Sequence, residues 1–128
     1  KTVEDIMIVG KKIPFVSHKM KMKRAINILT EKKLGILIVR NTQNKTIGII
    51  TDGQIRRSSQ KNLNFLSLPV KKIMTKKPIS IDKNELAAKA LSIMNTKKIT
   101  SLLVINKKKP LITIGVIHMH TVLQSNIS

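Results

Sequence analysis

The chain is written twice. Val3-Glu-Asp-Ile-Met7 returns as Val70-Lys-Lys-Ile-Met74, 67 residues on. Pro14, ahead of apolar β-formers, returns as Pro78 at an offset of 64, and Ala25-Ile26 with Ile28-Leu29 returns as Ala90-Leu91 with Ile93-Met94 at 65. The glycine of Ile47-Gly48-Ile49-Ile50 returns in Ile114-Gly115-Val116-Ile117, again at 67. Four anchors in one order, differing only by small loop changes, mark an internal duplication. Whatever one copy forms, the other must form as well. Each half alone would bury too little apolar surface to stand, so the expected solution is two halves packed sheet against sheet about a pseudo-twofold axis, leaving a cleft on each side.

Within a copy the periodicities fix the layout. A short helical turn (residues 3–7; 70–74) leads to an extended piece (13–16; 78–81). A helix follows, with Met22, Ala25, Ile26 and Leu29, or Ala87, Ala90, Leu91 and Met94, at i, i+3, i+4, i+7, one buried stripe each. Asn84 followed by Glu85 is the expected start of the second of these helices. Two strands come next (36–40 and 46–50; 102–105 and 111–117), joined by short polar connections that imply antiparallel pairing. They are apolar on both faces, so both faces should be covered. A closing helix (52–60; 119–125) completes a β-α-β-β-α unit. The fold class is therefore α+β, with residues 1–60 as repeat 1, 61–69 as a linker whose Phe65 and Leu66 are tacked onto the core, and 70–128 as repeat 2.

Composition excludes several functions. The apolar runs are too short to cross a bilayer and no signal-peptide pattern opens the chain, so no membrane association is expected. With no cysteine in 128 residues there are no disulfides or thiolate metal sites, which fits a cytoplasmic protein. The formal net charge of +19 invites a nucleic-acid reading. Its lysines, however, are scattered through every segment together with many isoleucines and asparagines, the bias an A/T-rich genome produces unaided. Only two aromatics, Phe15 and Phe65, are present, and a single-strand binder wants stacking faces. Nucleic acid is not the expected partner. The charge favours small anions. Lys1 rather than methionine at the first position points to a piece of a longer protein.

The places for such anions are the two corners where a strand breaks into a helix, Ile47 to Arg57 and Ile114 to Leu123. Such a corner presents free N–H groups and the positive end of a helix. At the first, Thr51-x-x-Gln54 is both a candidate ligand contact and a capping box. Asp52 is a helix-start acid or an ion-pair partner for Arg56. Arg56 and Arg57 are a solvated face or the cations for a phosphate or carboxylate. At the second, His118 and His120 at i, i+2 are poor metal ligands, with His18 far away and only six acids in the chain. His118 is read instead as a ligand-contacting or pH-sensitive residue, and no metal is expected. Neither a paired carboxylate, a serine with a neighbouring His and acid, nor a phosphate-binding P-loop is present, so no catalysis is expected of these residues.

The doubled β-α-β-β-α unit, with a glycine, two apolar residues and a serine or threonine (Thr51 in the first copy) leading into a helix, resembles a tandem cystathionine-β-synthase (CBS) pair, or Bateman module, over essentially the whole chain. Asp5-Ile-Met7, Thr51-Asp-Gly-x-x-Arg56-Arg57, Lys98-Ile-Thr-Ser101 and Gly115-Val-Ile-His-Met-His120 most resemble the C-terminal CBS pair of bacterial D-arabinose 5-phosphate isomerases. Those enzymes carry an N-terminal sugar-isomerase (SIS) domain and feed synthesis of Kdo, the acidic sugar of lipopolysaccharide. The resemblance implies a regulatory chain without the catalytic domain, binding an AMP-like or ATP-like nucleotide or a CMP-sugar such as CMP-Kdo, and forming homodimers through its CBS pairs.

The family's corner residues map to Thr51 and Gln54 in the first copy and to His118 and Thr121 in the second. Both family aspartates are missing, which counts against tight AMP or ATP binding, since Gln54 offers a ribose hydroxyl only a neutral hydrogen bond. The remaining cleft residues implied by the resemblance are Ile13, Pro14, Phe15, Gly35 and Ile36, and, on the more polar side, Lys77, Pro78, Ile79, Thr100 and Ser101. The alternative implied by the missing aspartates is an assembly module with empty clefts, holding isomerase subunits together.

Overall fold

A computed structural model of the protein describes residues 1–125; the last three residues of the second repeat, 126–128, lie outside them. The order of elements is α1 (Val3–Ile6), β1 (Phe15–Ser17), α2 (Met22–Lys32), β2 (Ile36–Arg40), β3 (Thr46–Thr51), α3 (Asp52–Lys61), β4 (Ser80–Asp82), α4 (Ala87–Lys97), β5 (Ser101–Asn106), β6 (Lys109–His118) and α5 (Met119–Gln124). Short 3-10 turns lie at Gly10–Lys12, Phe65–Ser67 and Val70–Lys72. Two three-stranded sheets result, ordered β1-β2-β3 and β4-β5-β6. In each, the first pair is parallel and the second antiparallel. The registers correspond: Ile38 sits between Phe15 and Ile49 as Leu103 sits between Ser80 and Val116. The mixed α+β architecture read from the sequence is the one observed.

The compact units do not coincide with the written repeats. One, here the central unit, is Pro14–Pro78; the other, the terminal unit, is Lys1–Ile13 together with Ile79–Ser128. The segment heading each repeat therefore packs on the other repeat's sheet. Val3 joins the terminal unit's core with Ile81, Ala90, Met94, Leu102, Val104, Ile117 and Val122. Val70 and Ile73 join the central unit's core with Val16, Met22, Ala25, Leu29, Leu37, Val39, Ile50 and Phe65. The helical stripes expected for α2 and α4 supply Met22, Ala25 and Leu29, and Ala87, Ala90 and Met94, to these interiors. Both faces of the middle strands are covered: Ile36, Leu37, Ile38 and Val39 are at most 4% exposed, and Leu102, Leu103 and Val104 at most 2%.

How a head segment joins a sheet is visible at the two repeated glycines. Ile49 and Thr75 exchange backbone hydrogen bonds of 2.9 and 2.8 Å, and Ile8 and Val116 exchange bonds of 2.8 and 3.0 Å. The methionine preceding each of these contacts lies on a strand glycine. A Cβ on Gly48 would meet the Met74 sulfur at 2.7 Å and the Thr75 carbonyl at 2.8 Å; one on Gly115 would meet the Met7 sulfur at 2.6 Å and the Ile8 carbonyl at 3.0 Å. Glycine serves here for space. The anchors that repeat at 67 residues are thus contact partners.

Several local expectations are corrected. Helix α4 starts at Ala87, with Leu86 as its N-cap and no side-chain cap; Asn84 and Glu85 belong to the preceding turn. The carboxylate of Asp82 organises that turn, accepting from the N–H groups of Asn84 (3.0 Å) and Lys107 (2.7 Å), and both bonds hold its pKa below the ordinary range. The short helical turn expected over 70–74 is present as a 3-10 turn, Val70–Lys72. Leu66 is 51% exposed, while Phe65 is buried at 6%. Strands β5 and β6 are each longer than their apolar cores, because Ser101, Asn106, Lys109 and His118 continue the ladder.

Gly48→Ala and Gly115→Ala should each destabilise the fold by about 1–3 kcal/mol, the usual cost of forcing extra volume into a packed site. Urea denaturation monitored by far-UV circular dichroism checks this. Unaltered midpoints would show that the head segments yield without cost.

Candidate functional site

The first corner lies in the central unit, where β3 hands over to α3. Ile36 on β2 pairs with Thr51 on β3, which brings the entry of one strand beside the exit of the other. Gly35, at φ +70, turns its carbonyl to accept from the Asp52 N–H at 3.4 Å. A Cβ at Gly35 would come within 3.4 Å of the Asp52 carboxylate. Thr51 is the N-cap of α3, its hydroxyl accepting from the Gln54 N–H at 3.4 Å. The reciprocal half of the capping box does not form: the Gln54 side-chain amide donates to the Ile73 carbonyl instead. Gln54 is thereby spent on holding the head of repeat 2. The reciprocal box appears at a place the sequence reading passed over, where Asp5 accepts from the Thr2 N–H at 2.8 Å and has its pKa lowered chiefly by that bond.

The guanidinium groups of Arg57 and Arg56 lie over the first turn of α3. A methyl on Gly53 would meet them at 3.1 and 4.0 Å respectively. Two delocalised cations are therefore gathered at the positive end of a ten-residue helix that buries none of its own side chains. Pro14 belongs to the same unit and continues the ladder of β1, its carbonyl accepting from the Ile38 N–H at 2.9 Å. Lys77, exposed, and Pro78, half-buried, end this unit.

The second corner lies in the terminal unit. Ser101 pairs with His118, and the Thr100 carbonyl accepts from the Met119 N–H at 2.8 Å. Ile79 repeats the role of Pro14, accepting from the Leu103 N–H at 3.2 Å. Ile13, buried at 6%, also belongs to this unit, so the expected first cluster, Ile13 with Pro14, Gly35, Ile36 and Thr51, is divided at Ile13-Pro14. The expected second cluster is divided in the same way at Pro78-Ile79. Thr121 lies half-buried on α5. Ser101 is only 9% exposed, and its hydroxyl has no hydrogen-bond partner among the described residues. Leaving such a group unpaired costs about 1–3 kcal/mol. His18 Nε2, outside both corners, is likewise buried and unpartnered, and no pattern in the sequence marked it.

His118 caps α5 with its ring. Nδ1 accepts from the His120 N–H at 3.1 Å, and the two imidazoles stack with centroids 5.9 Å apart and planes inclined by 19°. Accepting at Nδ1 requires that this nitrogen carry no proton. Burial, then repulsion from His120, lowers the His118 pKa from its ordinary 6.5. A histidine depressed in the folded state binds fewer protons than in the unfolded one. Its stabilising contribution is whole above about pH 6.5 and is lost as pH falls through the lower folded value. NMR titration of the imidazole carbons should therefore give His118 an apparent pKa below 6.5 and His120→Ala a partial return toward it. A value at or above 6.5 would show that the cap does not form.

Comparison with known proteins agrees with this architecture. The CBS domain profile matches residues 3–61 and again residues 70–127. The arabinose 5-phosphate isomerase of Yersinia pestis is 33% identical over 98% of this chain, which spans 37% of that protein's length. Among solved structures, CBSX2 in complex with AMP has a TM-score of 0.80 at 21% identity, covering 97% of this chain and 94% of its own. The CBS domain pair of protein MJ0100, in complex with 5′-methylthioadenosine and S-adenosyl-L-methionine, also has a TM-score of 0.80, at 20% identity over 98% and 94%.

Proposed function

The chain belongs to the CBS-domain family, and we propose on that footing that it is the regulatory, non-catalytic part of an arabinose 5-phosphate isomerase, taking an anionic nucleotide or nucleotide-linked acidic sugar at its strand-to-helix corners. The observation that carries this reading is the pair of guanidinium groups over the first turn of α3. Phosphate or sugar carboxylate would sit on Arg56, Arg57 and the first-turn N–H groups, with Thr51 beside it. Gly35 and Ile36 would border it. In the terminal unit the buried Ser101 hydroxyl, with Thr100, His118 and Thr121, would make the matching polar corner. AMP-like ligands, ATP and CMP-sugars such as CMP-Kdo all supply the required anion.

Because Gln54 already donates to Ile73, a ligand that engaged its side chain would pull on residues 70–75 and on the sheet edge that Thr75 closes. That gives occupancy a route to the rest of the chain. The free energy available for regulation is the difference in affinity between the two arrangements. On the same reading the parent protein would carry an attached SIS domain, pair with a second copy through its CBS modules and serve the cytoplasmic supply of Kdo for lipopolysaccharide.

One observation favours a second reading, an assembly module with empty corners: Gln54 and Thr121 occupy the positions of the family aspartates, and the Gln54 amide is engaged elsewhere. Calorimetry against AMP, ATP, CMP and CMP-Kdo separates the two. The regulatory reading expects heat from at least one, and Arg57→Ala should weaken it about ten- to a hundredfold, the loss of a charge-assisted bond. Silence at millimolar ligand, with loss of oligomeric state when the module is deleted from its parent, would favour assembly.

A further inference from the structure

The far end of the central unit's sheet carries a polar cavity, at the opposite end of β2 from Ile36, roughly 13 Å along the strand at the usual rise per residue. It measures about 270 Å³ and is lined by Phe15, Ser17, Arg40, Asn41, Thr42 and Asn44, among others. The Arg40 guanidinium lies 3.6 Å from the centroid of the Phe15 ring. Stacking holds the fork flat and leaves its N–H edge to donate sideways.

Arg40 is partly buried, and desolvation alone lowers its pKa from the ordinary arginine value. No acidic side chain among the described residues pairs with it. A desolvated cation without a counter-charge is costly unless an anion arrives from outside. The hairpin beside it supplies neutral donors. Asn41 Oδ1 is taken up by the Gln43 and Lys45 N–H groups, both at 3.0 Å, so its NH2 group remains to donate. Asn44, at φ 61, closes the turn.

None of this belongs to the repeated scaffold. At the matching register positions the terminal unit has Ser80 for Phe15 and Ile105 for Arg40. One of the chain's two aromatics is thus placed where the fold itself does not ask for one.

We propose that this cavity is a binding site for a small phosphorylated polyol, its phosphate held by the stacked Arg40 and its hydroxyls by Asn41, Thr42 and Asn44. A phosphate fits the planar fork as a bidentate acceptor, and hydroxyls suit amide and hydroxyl groups. The site is separate from the Thr51 corner and stands whether or not a nucleotide binds there.

The test is an NMR titration of the 128-residue chain with ribose 5-phosphate, inorganic phosphate and ribose. The expected result is that ribose 5-phosphate binds at least threefold tighter than phosphate, that ribose alone does not bind, and that shifts centre on residues 15–17 and 40–44. Arg40→Gln should weaken ribose 5-phosphate at least tenfold. Arg40→Lys, which keeps the charge but loses the fork, should weaken it about threefold or more. Shifts centred on residues 51–57, equal affinity for phosphate and ribose 5-phosphate, or an Arg40→Gln affinity within twofold of the parent would each overturn the proposal. The shift map on the unaltered protein decides the matter even if a variant fails to fold.

Discussion

Met74 lying on Gly48, and Met7 lying on Gly115, join each three-stranded sheet to a segment written in the other repeat, and the rest of the structure depends on those two contacts. Without them the outer strands β3 and β6 would present unpaired backbone to water. With them, each edge is partly closed by the bridges at Thr75 and Ile8, and an apolar side chain from the same segment, Val70 or Val3, enters the core at full burial. Space at a single Cα decides whether the segment approaches. That is why a glycine recurs in the middle of an otherwise isoleucine- and valine-rich strand, where its lack of a side chain would ordinarily be a weakness.

The same connection shapes the first corner. Residues 70–74 lie close enough for Ile73 to accept from Gln54, so the helix carrying Arg56 and Arg57 is fastened at its first turn to the segment that closes the sheet. The second corner solves the same problem with different chemistry. There His118, a titratable ring, caps a shorter helix, and a buried serine hydroxyl stands beside it unpaired. Two copies of one backbone plan have been given one corner that gathers two arginines and one that gains charge at His118 only in acid, below its ordinary range. A symmetric scaffold thus offers two chemically distinct positions.

Much of this was legible in the sequence because it depends on spacing. The stripe at Met22, Ala25 and Leu29, the all-apolar run from Ile36 to Val39, and the repeated glycine each follow from a period or a steric need that survives duplication. The exchange of head segments was not legible. A head packed on its own repeat and one packed on the other have the same hydrophobic pattern, and only the length of residues 61–69 and the path of residues 8–14 distinguish them. Local competition hid the rest. Asn84 is a good cap, but Asp82 reaches its N–H first and moves the start of α4 on by two residues. Gln54 fits a capping box on paper, yet a carbonyl 19 residues away claims its amide. Arg40 and Phe15 are far apart in the chain, and nothing in either neighbourhood announces that a parallel strand pair will bring them face to face.

The traded head segments also bear on ancestry. If a single repeat once existed with this plan, its own edge would have stayed open, since residues 3–8 close the sheet of the other copy. Such a polypeptide would have had to lend its leading stretch to a twin and borrow the twin's in return, a domain-swapped pair. Tandem fusion would then have made permanent an embrace that already existed, and freed each half to mutate apart from its sibling.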